Sequence, residues 1–257
     1  MDLIDYGPLM PYLGRYEGIE GEPLRVRLTL RPGSPLAGYD PLHLDNLLAR
    51  AVVDEATRGA GLPQYVGAYR LPVPLRCLWV SEDGLPLWAA TPFFPLSEAV
   101  ADVAYWHKRQ QPGRFTGTKS GKFSISATAG RYMERRVPLP TKLCREWAAE
   151  AIGDPAEIVR LLKRVGFVGK RRSSGFGEVE RWDVEPLEEF CLVREEKLTR
   201  PLPAEAVHLL PRGTRPVDAP SPVGWTPPQW LPSLFRPGWW PGTPVSTDWY
   251  EAAGEAG

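Results

Sequence analysis

At 257 residues, with 43% hydrophobic and 24% charged, the chain is long enough for one large domain with insertions and can bury a full core. Its 31 basic and 31 acidic residues cancel, which excludes a bulk electrostatic attractor of polyanions; any such binding has to come from local clusters. Cys77, Cys144 and Cys191 are too dispersed, and odd in number, for a disulfide framework or a cysteine-rich zinc site. With no His, Asp and Glu cluster at ligand spacing either, no metal and no cofactor is expected. The acidic start Met1-Asp2-Leu3-Ile4-Asp5 is no signal peptide and no apolar run approaches ~18 residues, so the expectation is a cytoplasmic protein without membrane contact.

Residues 1–22 are rich in Gly, Pro and Tyr without clear periodicity and read as an irregular lead-in. The strict apolar/polar alternation of Leu24–Leu30 predicts a strand with one buried face. After a loop set by Pro32, Gly33, Pro35 and Gly38, Leu44, Leu47, Leu48, Ala51 and Val52 share one stripe of a helix over 43–55, with Asp45 in its first turn. Leu75–Val80 and Leu85–Ala90 read as two strands joined through Asp83-Gly84, with Pro86 marking an edge.

Residues 105–136 change character: Lys108, Arg109, Arg114, Lys119, Lys122, Arg131, Arg135 and Arg136 face a single acid, Glu134. Tyr105, Trp106, Phe115, Phe123 and Tyr132 are interleaved among them. Aromatic faces stack on unpaired bases while cations track phosphates, so this is the composition of a single-strand binding surface; a solvated hairpin with surplus charge is the plainer alternative.

Leu143–Glu150 fits a strand better than a short helix. Residues 153–164 carry full helix punctuation, with Asp154 as N-cap, Pro155 at the first position, Glu157 completing the cap and Lys163-Arg164 at the C-terminal end of the dipole. That helix delivers the chain into a loop over 166–177 holding Gly166, Gly169, Lys170, Arg171, Arg172, Ser173, Ser174, Gly175, Phe176 and Gly177, before a strand over 177–184. Glycines let the backbone turn its N–H groups toward a polyanion, and the three cations neutralise phosphates without reading bases. A Walker loop is excluded, because Gly169-Lys170 is followed by Arg171 and Arg164 stands five before Gly169; a dinucleotide fingerprint is excluded because the loop follows a helix. The last stretch, 206–257, sets Trp225, Trp230, Trp239, Trp240 and Trp249 among many prolines and predicts no regular helix or sheet, only segments docked on the chain's own core or on a partner.

The order of elements contains the split βαβ pattern of an α+β, ferredoxin-like (RRM-like) domain. Such a domain, over about 23–205, with a glycine-rich loop after its last helix resembles the RAMP superfamily of CRISPR-associated proteins. Pro41–Ala49, Gly153-Asp154-Pro155, the loop from Gly169 to Gly177 and Arg194–Pro203 are similar, in order and spacing, to Cas family five subunits of type IV systems (Csf family three). The resemblance implies a non-catalytic antiviral subunit that grips the 5′ handle of a CRISPR RNA (crRNA) with the loop at 166–177. It would extend a thumb-like basic β-hairpin, 105–136, over the guide and cap a filament of backbone subunits of Cas family seven. It would also meet a type IV large-like subunit near the protospacer-adjacent motif of target DNA. Residues 211–257 go beyond the matched pattern. The rival reading is a metal-independent RAMP endoribonuclease that matures crRNA, for which His43, with Tyr39 four residues before it, would be the catalytic candidates and Lys119 or Lys122 the charge; a polar helix-start residue hydrogen-bonded beside Asp45 is the plainer reading of His43. His107 fits an RNA contact better and His208 a surface position. A third reading is a general binder of single-stranded nucleic acid.

Overall fold

The computed structural model describes residues 3–64, 67–108 and 134–247. In chain order the principal elements are α1 (Met10–Tyr16), β1 (Glu22–Leu30), β2 (Leu36–Ala37), α2 (Leu44–Ala56), β3 (Cys77–Val80), β4 (Pro86–Trp88), β5 (Phe94–Pro95), β6 (Val100–Lys108), β7 (Arg135–Leu143), β8 (Glu146–Gly153), α3 (Pro155–Leu162), β9 (Val179–Pro186), β10 (Leu202–Pro203), β11 (Ser221–Val223) and β12 (Arg236–Trp239).

The central sheet is antiparallel throughout and runs β9-β1-β8-β5. Alternation along β1 sends Leu24, Val26, Leu28 and Leu30 into one core with Leu44, Leu48 and Val52 of α2 and Ile158, Leu161 and Leu162 of α3. Each fully buried side chain of this kind contributes about 1.5–3 kcal/mol of transfer free energy, and that places both helices on one face. The other face is charged and self-paired: Arg25 meets Glu150 at 3.1 Å and Glu185 at 3.9 Å, and Arg27 meets Glu146 at 3.9 Å and Glu185 at 3.8 Å.

β6 and β7 form a nine-residue antiparallel ladder from Val100↔Leu143 to Lys108↔Arg135, and β2 pairs with the base of β7. Pro138 and Pro140 fit because they turn away from β6. The carbonyl of Pro140 accepts from Gly38 N at 3.0 Å, so its missing N–H costs the β6–β7 ladder nothing. Exposed Val100, Val103, Tyr105 and Val137 mark this ribbon as an arm standing off the core, and it is the root of the basic segment.

Two expectations change. The lead-in 1–22 contains α1, about two turns of helix held by tertiary bonds: Tyr12 donates to Glu55 at 2.7 Å and Tyr16 donates to Glu157. The Pro/Trp-rich end does form sheet, in short ladders of order β10-β12-β11, with Pro222 opposite Pro237. It closes a second core in which fully buried Trp225 packs against Trp79, ring centroids 5.6 Å apart, among Leu87, Leu202 and Leu234. Asp45, in the first turn of α2 as the sequence places it, is buried at 2% exposure. Cys144 is buried, while Cys77 is exposed and Cys191 intermediate; all three are free thiols.

Candidate nucleic-acid interface

The helix α3 begins where its punctuation requires, with Asp154 accepting from Glu157 N, and ends into the glycine-rich loop. Val168 is buried at 1% and anchors the loop. Around it, Val168 N donates to Gly177 O, Lys170 N to Ala37 O and Gly177 N to Pro35 O, while Ser34 Oγ donates to Gly175 O and accepts from Glu178 N, both at 2.7 Å. Two glycines are demanded by this fit. A Cβ on Gly177 would lie 2.0 Å from Val168 O, and one on Gly169 would lie 2.7 Å from Ala37 O, both at positive φ.

The exposed crest is Lys170–Gly175. Arg171 holds a left-handed φ of 58°, and a 3₁₀ turn over Arg172–Ser174 follows. The amides of Arg171, Arg172 and Ser173 have no backbone acceptor among the described residues, so three successive donors beside a left-handed residue are open to an anion. The cations divide their work. Lys170 sits 3.3 Å from Asp40 and 5.5 Å from the ring centroid of exposed Tyr39. Arg172 makes no side-chain bond among the described residues. Arg171 reaches the arm, its guanidinium 4.0 Å from the ring centroid of Trp106 on β6. Farther along the arm Arg136 lies 3.8 Å over the Tyr105 ring, and Lys108 and Arg135 are opposite one another in the ladder. Loop and arm thus make one continuous cationic and aromatic surface. Arg109, Arg114, Phe115, Lys119, Lys122, Phe123, Arg131 and Tyr132 lie outside the described residues.

Beneath the crest opens a cleft of about 760 Å³ that the sequence did not announce. Tyr39, His43, Phe167, Lys170 and Arg172 line it from one side, and Gln229, Trp230, Phe235 and Trp240 of the C-terminal segment from the other. The signal available beforehand was the unusual set of tryptophans between prolines. Trp230, at 67% exposure, has no packing reason to stand there.

His43 and Tyr39 both line this cleft, with no hydrogen bond between their side chains. His43 is the N-cap of α2 without a side-chain capping bond and, contrary to expectation, makes no hydrogen bond to Asp45. Burial, then the charge of Arg200, push its pKa down to about 3, so the imidazole is neutral. Asp45 instead accepts from Gln229 Nε2 at 2.7 Å and lies 3.9 Å from Arg200 Nη2, which also donates to Trp225 O at 2.7 Å. Burial raises the Asp45 carboxyl against the pull of Arg200, and lowers Arg200 to about 10, still charged at neutral pH. This buried node ties the start of α2 to the C-terminal segment and so sets both walls of the cleft. His107 is exposed opposite Arg136, and His208 Nδ1 is 3.0 Å from Glu205 O.

A mixed α/β chain with a cationic glycine-rich loop stacked on a hairpin arm defines the class. Within it, a family model described as CRISPR type IV associated protein Csf3 matches residues 22–230, and the chain belongs to that family. The match extends beyond residue 205, the limit read from the sequence, to include Trp225 and Trp230. No curated protein matches the chain. Among the described residues no three His, Cys, Asp or Glu gather as a metal site, and no helix is long and apolar enough to cross a membrane.

Proposed function

We propose that this type IV CRISPR-associated protein is a non-catalytic RNA-binding subunit of a CRISPR ribonucleoprotein, holding the 5′ handle of the crRNA on the glycine-rich loop and the guide along the hairpin arm. The observation that carries this reading is the stacking of Arg171 on Trp106: the two basic, aromatic features read separately in the sequence meet and form one surface. Phosphates fit the donor array and Arg172, whose side chain has no partner among the described residues, and bases fit the arm's aromatic rings. Strand order supports a ferredoxin-like RAMP domain, since β9-β1-β8-β5 are the fourth, first, third and second strands of a βαββαβ unit. The ion-paired open face of that sheet favours the loop side for RNA over the sheet binding of an RRM. A neutral His43 whose pKa lies far below 7 is a weak general base and cannot serve as an acid, which favours the structural subunit over an endoribonuclease. Backbone subunits of Cas family seven, a large-like subunit and target DNA near the protospacer-adjacent motif complete the proposed assembly.

The test is binding of labelled CRISPR repeat RNA across a salt series, with RNA integrity read on the same gel. Replacing Lys170, Arg171 and Arg172 together by Ala should weaken binding to all sequences and flatten the salt slope by up to about two, at ~0.7 per neutralised phosphate on a single strand. An unchanged slope removes the loop from the interface, and cleavage of the repeat by the wild type, lost in His43→Ala, makes the protein the processing nuclease.

A further inference from the structure

Two large aromatic side chains beside the cationic loop are left uncovered by the chain's own packing: Trp230 at 67% exposure and Trp240 at 37%. Both belong to a segment otherwise folded tightly around Trp225, which is fully buried, so the segment had the means to bury them. Both line the cleft below the loop crest. At its wall stands His43, more than nine-tenths buried and without a side-chain hydrogen bond among the described residues. A neutral imidazole offers one donor and one acceptor. Among the described residues the lining is cationic: Arg172 and Lys142 carry no ion pair, and Asp40 is the one acid that lines the cleft. The volume, about 760 Å³, lies in the ~300–1,000 Å³ range of small-ligand sites.

We infer that this cleft is a nucleobase site: one unpaired base of the RNA strand held on the loop turns inward, stacks on Trp230 or Trp240, and is read at its edge by His43. The inference rests on the RNA-binding reading above and adds to it a place where base identity matters. Stacking alone tolerates every base, because each has a π-face; a buried neutral histidine adds discrimination, since a base edge that leaves it unpaired loses affinity. Charge favours nucleic acid over a protein partner, because an apolar docking groove has no use for Arg172 and Lys142, unpaired among the described residues, in its lining. The buried Asp45–Gln229 bond keeps the site in shape, because Gln229 precedes Trp230 and is pinned to the first turn of α2.

The experiment is a set of repeat-derived RNAs, each with one abasic position, titrated against the full-length wild type, Trp230→Ala, Trp240→Ala and His43→Gln. One abasic position should weaken wild-type binding by about 5- to 150-fold, the range expected for one stacked base. In Trp230→Ala or Trp240→Ala the intact RNA should bind weaker by a similar factor, and the same abasic position should then cost nothing more. His43→Gln should change which base is preferred there without altering the salt slope. Trp230 is mostly solvent-exposed, so its variant should keep the wild-type Tm. A uniform abasic profile, or tryptophan variants that bind RNA like wild type, overturns the nucleobase site; if the Lys170/Arg171/Arg172 variant still flattens the salt slope, the RNA-binding reading survives that loss, and otherwise both fall. Loss of co-purifying backbone subunit in Trp230→Ala with RNA binding unchanged would assign the cleft to a protein contact instead.

Discussion

Gln229 donates a 2.7 Å hydrogen bond to Asp45 across 184 residues of chain, and both side chains are buried. Arg200 completes the node from a third segment, 1% exposed and charged at neutral pH. Removing one charge strands the other. Arg200→Met should therefore destabilise the protein by about 3–5 kcal/mol in urea unfolding, while Arg200→Met combined with Asp45→Leu should recover a substantial part of that loss. Equal destabilisation by the single and double variants would mean that the charges do not compensate one another.

What could be read from the sequence was local. Asp154-Pro155-Ala156-Glu157 specifies its own helix start, because the carboxylate reaches an amide three residues on. Leu24–Leu30 specifies a half-buried strand, because alternate residues face opposite sides. The node and the cleft were not legible, because each assembles segments far apart in the chain, and a lone Asp45 in a first helical turn looks the same whether it faces solvent or Arg200. The C-terminal segment misled for a physical reason. Proline removes ladder donors, but strands of two to four residues can place Pro222 and Pro237 so that the remaining bonds survive. α1 was hidden by Pro11 and Gly14 in a helix too short to show a period, and tertiary bonds to Glu55 and Glu157 compensate for weak propensity.

Loop glycines should rank by what a methyl group would strike. Gly175 at φ +85° faces open space, so Gly175→Ala carries only the left-handed backbone cost of about 1–2 kcal/mol. Gly177→Ala adds a Cβ 2.0 Å from Val168 O and cannot be accommodated without moving the β9 approach, so it should cost more than Gly175→Ala in denaturant unfolding. Equal costs would show that the loop relaxes freely and is not the fixed donor array described above.

Acid should weaken the fold earlier than its carboxylates require. His43 has its pKa pushed down to about 3 from 6.5, so the unfolded chain takes up a proton that the folded one refuses; the stability this costs is fully present above pH 6.5 and is lost as pH falls toward 3. Between pH 7 and pH 5 the loss amounts to about 2 kcal/mol at 1.36 kcal/mol per unit. Asp45, whose pKa is raised, acts with the opposite sign, and Glu55, held down to about 2 by Arg160 and Tyr12, loses its contribution only below about 4.5. His43→Gln should flatten the pH 5–7 part of a stability profile measured by urea unfolding. A variant profile as steep as wild type would place the acid sensitivity elsewhere.

The contact between Arg171 and Trp106 makes the loop and the arm a single surface, and a double-mutant cycle can weigh it. A cation over a partly exposed ring is worth about 0.5–1 kcal/mol, so the stack alone is a small part of folding stability, yet it fixes a side chain on a strained αL residue at the point where loop and arm meet. Trp106→Leu leaves Arg171 charged but free to move, and Arg171→Ala leaves the ring without its cation. If RNA lies across both elements, each single variant should weaken repeat-RNA binding and the double variant should be weaker than wild type by less than the two single losses combined, because either change already breaks the shared contact. Strictly additive losses would mean that loop and arm bind RNA independently, and the arm's position relative to the loop would then have no part in holding the guide.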